Sequence, residues 1–235
     1  MTNPPHPPTL PTPGPRVCVL HTVASLPAVF TPLLSEIVPG VNPYHVVDES
    51  LLADTIVRGP LPRTAARLAS YVVHAQAAGA DAVLVTCSSV GPMAEQVRAL
   101  VDIPVFRVDQ PMASEAVATG PRVAVLATLA STLEPTADLI RRESAAAGAE
   151  VTVTPSVCPG AYEARMGGDL ARHNDLIAAE ARRLAAGHDV LVLAQASMAA
   201  VVDRMPAGEI TVPVLSSPRS GTAQLLALTG PEEPA

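Results

Sequence analysis

Two stretches decide the fold: Gly14-Pro-Arg-Val-Cys-Val-Leu-His-Thr-Val-Ala-Ser25 and Gly120-Pro-Arg-Val-Ala-Val-Leu-Ala-Thr-Leu-Ala-Ser131, which start 106 residues apart and agree at nine of twelve positions. Each reads as a short apolar strand (16–20 and 122–126) that ends near a threonine and leads through Ala-Ser into a helical stretch (27–37 and 133–147). Strand, loop and helix in that order form the first step of a parallel βαβ unit. A second pair keeps the register. Asp81-Ala-Val-Leu-Val-Thr-Cys87-Ser-Ser89 matches Asp189-Val-Leu-Val-Leu-Ala-Gln195-Ala-Ser197 at an offset of 108. Ile103-Pro104-Val105 then pairs with Val212-Pro213-Val214, and Gln110-Pro111 with Ser217-Pro218. Between these landmarks lie amphipathic Ala/Leu/Arg helices over 62–78 and 170–186.

The pattern predicts an α/β protein of two pseudo-symmetric lobes, each a four-stranded parallel sheet flanked by helices, with the active site in the cleft between them. The expected division is a disordered proline-rich tail over 1–13, a first lobe from 14–111 completed by a C-terminal helix over 217–229, and a second lobe over 112–216. The tail carries six prolines and no apolar period.

Composition agrees with buried parallel strands under alanine-rich helices, because 49% of the 235 residues are hydrophobic but only 2% aromatic. The net charge of −7 and the lack of any basic cluster longer than an Arg-Arg pair exclude nucleic acid as an expected partner. No apolar run is long enough for a membrane span, and no secretory leader pattern is present, so a cytoplasmic location is expected. All 15 basic residues are arginine, which leaves no lysine to hold pyridoxal phosphate as a Schiff base. Gly167-Gly168 lacks the strand and spacing of a dinucleotide fingerprint. Three cysteines without zinc spacing give neither a disulfide framework nor a metal site. No cofactor and no metal are therefore expected.

In open parallel sheets, ligands lie beyond the carboxyl ends of the strands. There the chain places Thr22 and Thr128 after the first strand of each lobe, Cys87, Ser88 and Ser89 after the third strand of the first, and Gln195 and Ser197 at the matching place in the second. Cys87 is the expected catalytic residue. Backbone N–H groups opening the following helix are expected to lower its pKa, whereas a core cysteine would be inert. Ser88 and Ser89 either cap that helix or hold a substrate carboxylate. Cys18, inside the first strand, reads as core. Cys158, in the loop Val157-Cys158-Pro159-Gly160, either lines the cleft or packs beneath it. His21 either faces the cleft or closes the strand end. Asp48-Glu49 is either a carboxylate pair for acid/base work or a solvated loop.

The duplicated lobes, the V-L-V-T-C-S-S motif at Cys87, the mirrored V-L-V-L-A-Q-A-S motif and the segment Ala161-Tyr-Glu-Ala-Arg-Met-Gly-Gly-Asp169 together resemble the aspartate/glutamate/hydantoin racemase superfamily over residues 16–228. The resemblance implies a cofactor-independent racemase or isomerase acting on a small carboxylate-bearing substrate, and a homodimer. It also implies two cysteines, one from each lobe, that exchange protons on opposite faces of the substrate. The first matches Cys87. The second falls at Gln195, which does not exchange a proton near neutrality. That departure leaves open a one-cysteine isomerase or decarboxylase, a binding protein without turnover, and a racemase whose second proton donor is Cys158, His173 or another acid.

Overall fold

A computed structural model describes residues 14–229; the proline-rich segment 1–13 lies outside the described residues. Two four-stranded parallel sheets form, as the repeat predicts. The first has the order β2-β1-β3-β4, from β1 (Arg16–His21), β2 (Asn42–Val47), β3 (Ala82–Val85) and β4 (Val105–Arg107). The second has the order β6-β5-β7-β8, from β5 (Arg122–Ala127), β6 (Thr152–Val157), β7 (Val190–Leu193) and β8 (Val214–Ser216). Registers match between the copies: Val17 faces Ala82 as Val123 faces Val190.

The central strands read as unbroken apolar runs because both faces are covered. Val83 and Val85 point into a core with Leu51, Leu68 and Val72, while Leu84 joins Val17, Val19 and Phe30 on the opposite side. The second lobe divides in the same way, with Val190 and Val192 on one face and Leu191 and Leu193 on the other. The conserved-looking Gly-Pro-Arg and Asp landmarks acquire a physical reason. The backbone N–H of Arg16 donates to Asp81 Oδ2 at 2.7 Å, and that of Arg122 donates to Asp189 Oδ2 at 2.9 Å. Each aspartate thus ties the start of its lobe's first strand to the start of the third.

The helices are α1 (Leu26–Ile37), α2 (Glu49–Arg58), α3 (Pro62–Ala77), α4 (Gly91–Val97), α5 (Gln110–Thr119), α6 (Ala130–Ala146), α7 (Ala161–Met166), α8 (Leu170–Ala185), α9 (Ala196–Val202) and α10 (Ser217–Ala223). Pro111 and Pro218 sit in the first turn of α5 and α10, where a missing N–H costs nothing. Helix α6 starts three residues before the expected 133, because the N–H groups of Thr132 and Leu133 already donate to Leu129 O. Met112 and Ala116 of α5 pack in the second sheet's core, and Leu225, in the 3-10 turn after α10, returns to Val17 and Phe30 of the first. No helix among the described residues is long and apolar enough to cross a membrane.

A buried ion network joins the lobes. Arg107, at the end of β4, is 1% exposed and donates to both carboxylate oxygens of Asp109 (2.9 and 2.8 Å) and to Glu95 Oε1 (2.7 Å). Glu95 also accepts from Arg142 of α6, so one carboxylate holds an arginine from each lobe. Burial opposes charge on Arg107, but the paired carboxylates outweigh it and hold its pKa above the ordinary value. The guanidinium lies against the backbone of Gly91, where an added Cβ would come within 2.5 Å of it.

Candidate active site

The carboxyl ends of β1, β3, β5 and β7 open onto one cavity of about 420 Å³. All seven residues picked out from the sequence line it: Thr22, Cys87, Ser88 and Ser89 from the first lobe, Thr128, Gln195 and Ser197 from the second. The sequence pairing of Cys87 with Gln195 has a conformational counterpart. Cys87 (φ −128°, ψ 116°) and Gln195 (φ −126°, ψ 130°) each occupy the extended residue immediately before a helical turn. The same local fold carries a thiol in one lobe and an amide in the other.

Cys87 keeps part of its surface while Ser88 and Ser89 beside it are buried. A 3-10 turn (Ser88–Val90) follows the sulfur, and the backbone N–H groups of Ser89 and Val90 and the hydroxyls of Thr22 and Ser89 are the neighbouring groups that act to lower its pKa. These four donors favour thiolate, as expected, but the expected net lowering of the pKa is not found. Burial is the larger influence and pushes the Cys87 thiol up. The resting group is a thiol whose deprotonated form has hydrogen-bond donors already in position. Thr22 Oγ1 is itself buried and makes no hydrogen bond among the described residues. Ser89 Oγ lies 3.0 Å from Thr132 Oγ1 of α6, a bond across the lobes at the cavity wall.

Gln195 is held firmly. Its Oε1 accepts from the backbone N–H of Thr128 at 2.7 Å and from the Thr128 hydroxyl at 2.8 Å. The carbonyl end is thereby used, and the amide presents its NH2 donors. Thr128 thus braces Gln195, whereas its counterpart Thr22 lies on the cavity wall with its hydroxyl unpaired among the described residues. Ser197 is the exposed member, at the rim.

Among the other liners are His173, one of the possible second proton donors, and Glu49 of the possible carboxylate pair, together with Tyr162 and Arg165, to which the sequence gave no role. Tyr162 and Arg165, three apart on α7, and His173, in the first turn of α8, come from the second lobe. Glu49 comes from α2 and accepts from the Ala24 N–H at 3.0 Å, while Asp48 caps the same helix through the Ser50 N–H. The two carboxylates are therefore structural partners of backbone amides, not a free acid/base pair. Cys18 is buried in the first core as expected. Cys158 is also buried: its N–H continues the β5–β6 ladder to Ala127 O, and its side chain packs with Leu126, Ala161 and Ile177, away from the cavity lining. Among the described residues no cluster of three or more His, Cys, Asp or Glu side chains is arranged to hold a metal ion.

His21 lies behind the cavity wall. It is fully buried, with Nδ1 2.8 Å from Thr86 Oγ1 and Nε2 2.8 Å from His45 Nδ1. Burial first, and the nearby His45 second, lower its pKa from 6.5 to about 4. The folded chain therefore keeps His21 neutral where the unfolded chain binds a proton. Its contribution is complete above about pH 6.5 and is lost as pH falls towards about 4, amounting to roughly 3 kcal/mol across that window. Urea unfolding at pH 7 and pH 5 is expected to show this slope in the parent and a shallower one in His21→Leu; equal slopes would contradict it.

The comparisons with known proteins agree with this architecture. A protein-family model described as Asp/Glu/Hydantoin racemase matches residues 29–225. No curated protein matches the sequence. Among solved structures, the aspartate racemase of Picrophilus torridus superposes with a TM-score of 0.70 at 12% identity, covering 92% of this chain and 95% of its own. The allantoin racemase of Klebsiella pneumoniae gives 0.62 at 17% identity, covering 94% and 96%. A single-substitution variant of arylmalonate decarboxylase gives 0.60 at 18% identity, covering 93% and 95%. At such identities the likeness is one of fold, and it extends over both lobes. With the family model spanning most of the sequence, the chain belongs to the Asp/Glu/Hydantoin racemase family.

Proposed function

We propose that this chain is a cofactor-independent racemase or isomerase of a small carboxylate-bearing substrate, with Cys87 as the acid/base or nucleophile. The observation that carries the reading is a partly exposed thiol at the carboxyl end of β3 that lines an inter-lobe cavity beside the polar groups of Thr22, Ser88 and Ser89. A core cysteine has no need of them. The same donors would receive a developing thiolate, or an adjacent anionic oxygen, as an oxyanion hole receives a developing charge. Arg165 and the NH2 of Gln195 line the opposite wall and suit the carboxylate of the substrate. Thr22, Ser88, Ser89, Thr128 and Ser197 complete the grip.

A second reading, a one-thiol isomerase or decarboxylase, is favoured by one feature. Gln195 stands where a second thiol would complete a symmetric pair, and its carbonyl is already engaged by Thr128.

The test is alkylation by iodoacetamide across pH 6–10, with the modified cysteine identified by mass spectrometry. D- and L-aspartate, D- and L-glutamate, allantoin, maleate and phenylmalonate serve as protecting agents. Cys87 is expected to react before Cys18 and Cys158, with a rate that climbs at or above the ordinary thiol pKa. At least one carboxylate is expected to shield it. Uniform reactivity of the three cysteines with no shielding would remove the enzyme reading.

A further inference from the structure

We infer that His173 is a second acid/base residue of the site, working from the second lobe on the face of the substrate opposite Cys87; this rests on the functional reading above. Helix α8 begins at Leu170 behind the cap of Asp169, whose side chain accepts from the Arg172 N–H. The first turn so fixed sets His173 against the cavity, where the residue is 2% exposed. Its Nδ1 lies 2.7 Å from the carbonyl oxygen of Ala161. A carbonyl only accepts, so Nδ1 carries the hydrogen, and in the neutral ring Nε2 is left with a lone pair. That Nε2 is buried and has no partner among the described residues. A buried polar atom without a partner is unfavourable, and a ligand in the cavity that donates to it would relieve that cost.

The chemistry of the other cavity liners points to the same group. Inversion at a carbon needs proton exchange on both faces. Of the second lobe's side chains that line the cavity, Gln195 carries an amide, Thr128 and Ser197 alcohols, Tyr162 a phenol and Arg165 a guanidinium, none of which offers a nitrogen lone pair to accept a proton. The imidazole is the one remaining liner of that lobe suited to the task.

The exchange balances without a further reactant. The Nε2 lone pair takes the α-proton, and the C–H electron pair passes into the enolate conjugated with the substrate's carboxyl carbon. The Cys87 S–H then delivers its proton to the other face as the C–H bond re-forms. The protein is left as imidazolium and thiolate, the state that processes the opposite enantiomer, and exchange with water restores the starting pair. Burial, which holds Cys87 as a thiol, makes it the donor in the resting protein.

The experiment uses the full chain and His173→Asn, whose Nδ2 keeps a donor for Ala161 while the Nε2 position is removed. Deuterium entry at the α-carbon of each amino acid in the panel is followed in D2O, alongside shielding of Cys87 from iodoacetamide and the ring 15N signals of His173. The expected result is a ring whose hydrogen sits on Nδ1 and whose Nε2 signal shifts with the ligand that shields Cys87. In the variant, α-exchange is expected to fall about a hundredfold while shielding of Cys87 persists. Exchange at the parental rate, a ring unmoved by a shielding ligand, or shielding by maleate with no α-exchange from any amino acid would overturn the assignment while leaving Cys87 chemistry intact. If nothing shields Cys87 in the parent, the functional reading fails and this inference fails with it.

Discussion

Cys87→Ala is expected to lower turnover of whichever carboxylate shields the thiol by a thousandfold or more, on the order of what a group both exchanging a proton and stabilising charge supplies. The cavity itself should survive. Cys87 stands before a 3-10 turn whose neighbours Ser88, Ser89 and Val90 are buried by their own packing. Removal of one sulfur leaves the Ser89–Thr132 bond between the lobes in place. The variant is therefore expected to bind the shielding ligand within a few fold of the parent, measured by calorimetry, while Cys87→Ser retains a hydroxyl too weakly acidic to substitute. Activity in Cys87→Ala within tenfold of the parent would transfer the chemistry to another residue. Unchanged binding together with no turnover in the parent itself would identify a carboxylate-binding protein.

Arg107→Ala is expected to destabilise the fold by about 3–5 kcal/mol, the range found when one partner is removed from a buried ion pair. Asp109, 1% exposed, would lose both hydrogen bonds to its carboxylate, and Glu95 would keep only Arg142. The loss should be largest near pH 7, where Glu95, whose pKa Arg107 helps to lower, is ionised, and should shrink on acidification as Glu95 protonates. Gly91→Ala should act in the same direction, because its methyl group would displace the guanidinium. Urea denaturation measures both. A midpoint shift in Arg107→Ala no larger than that of an exposed substitution such as Arg141→Ala would show that the network contributes little. Arg141 meets Asp138 at the surface, where such pairs contribute less than about 1 kcal/mol.

The sheets were legible because burial on both faces demands continuous Val, Leu and Ala, and because the chain repeats that demand at nearly one spacing. Strand ends then located the polar residues, and all seven meet in one cavity. What could not be read depended on quantities that a one-dimensional pattern does not carry. The donors near Cys87 follow from its place before a helical turn, but the sign of its pKa shift depends on how deeply the sulfur is enclosed, and enclosure won. The loop position of Cys158 gave no clue that its N–H would extend the strand ladder and turn the thiol into the core. His173 and Arg165 sit on helices whose facing is set by the packing of α7 against α8, so the sequence could name them, Arg165 inside the Ala161–Asp169 segment and His173 as one possible proton donor, without showing that both line the cavity. The Arg107 network draws on β4, α4, α5's approach and α6, and no periodicity announces it.

The matched backbones at Cys87 and Gln195 have a consequence for stereochemistry. A cavity with identical groups on both sides of a twofold axis would accept a ligand in either of two orientations exchanged by that axis. Here the main chain keeps the axis while the side chains abolish it, with a thiol on one side and an amide whose carbonyl is pinned by Thr128 on the other. Under the proposed function, a bound carboxylate would have one preferred heading, and the two enantiomers of a substrate would meet chemically different partners. The forward and reverse reactions of such a site are not mirror images in their kinetics, even though an equilibrium between enantiomers must end at equal amounts.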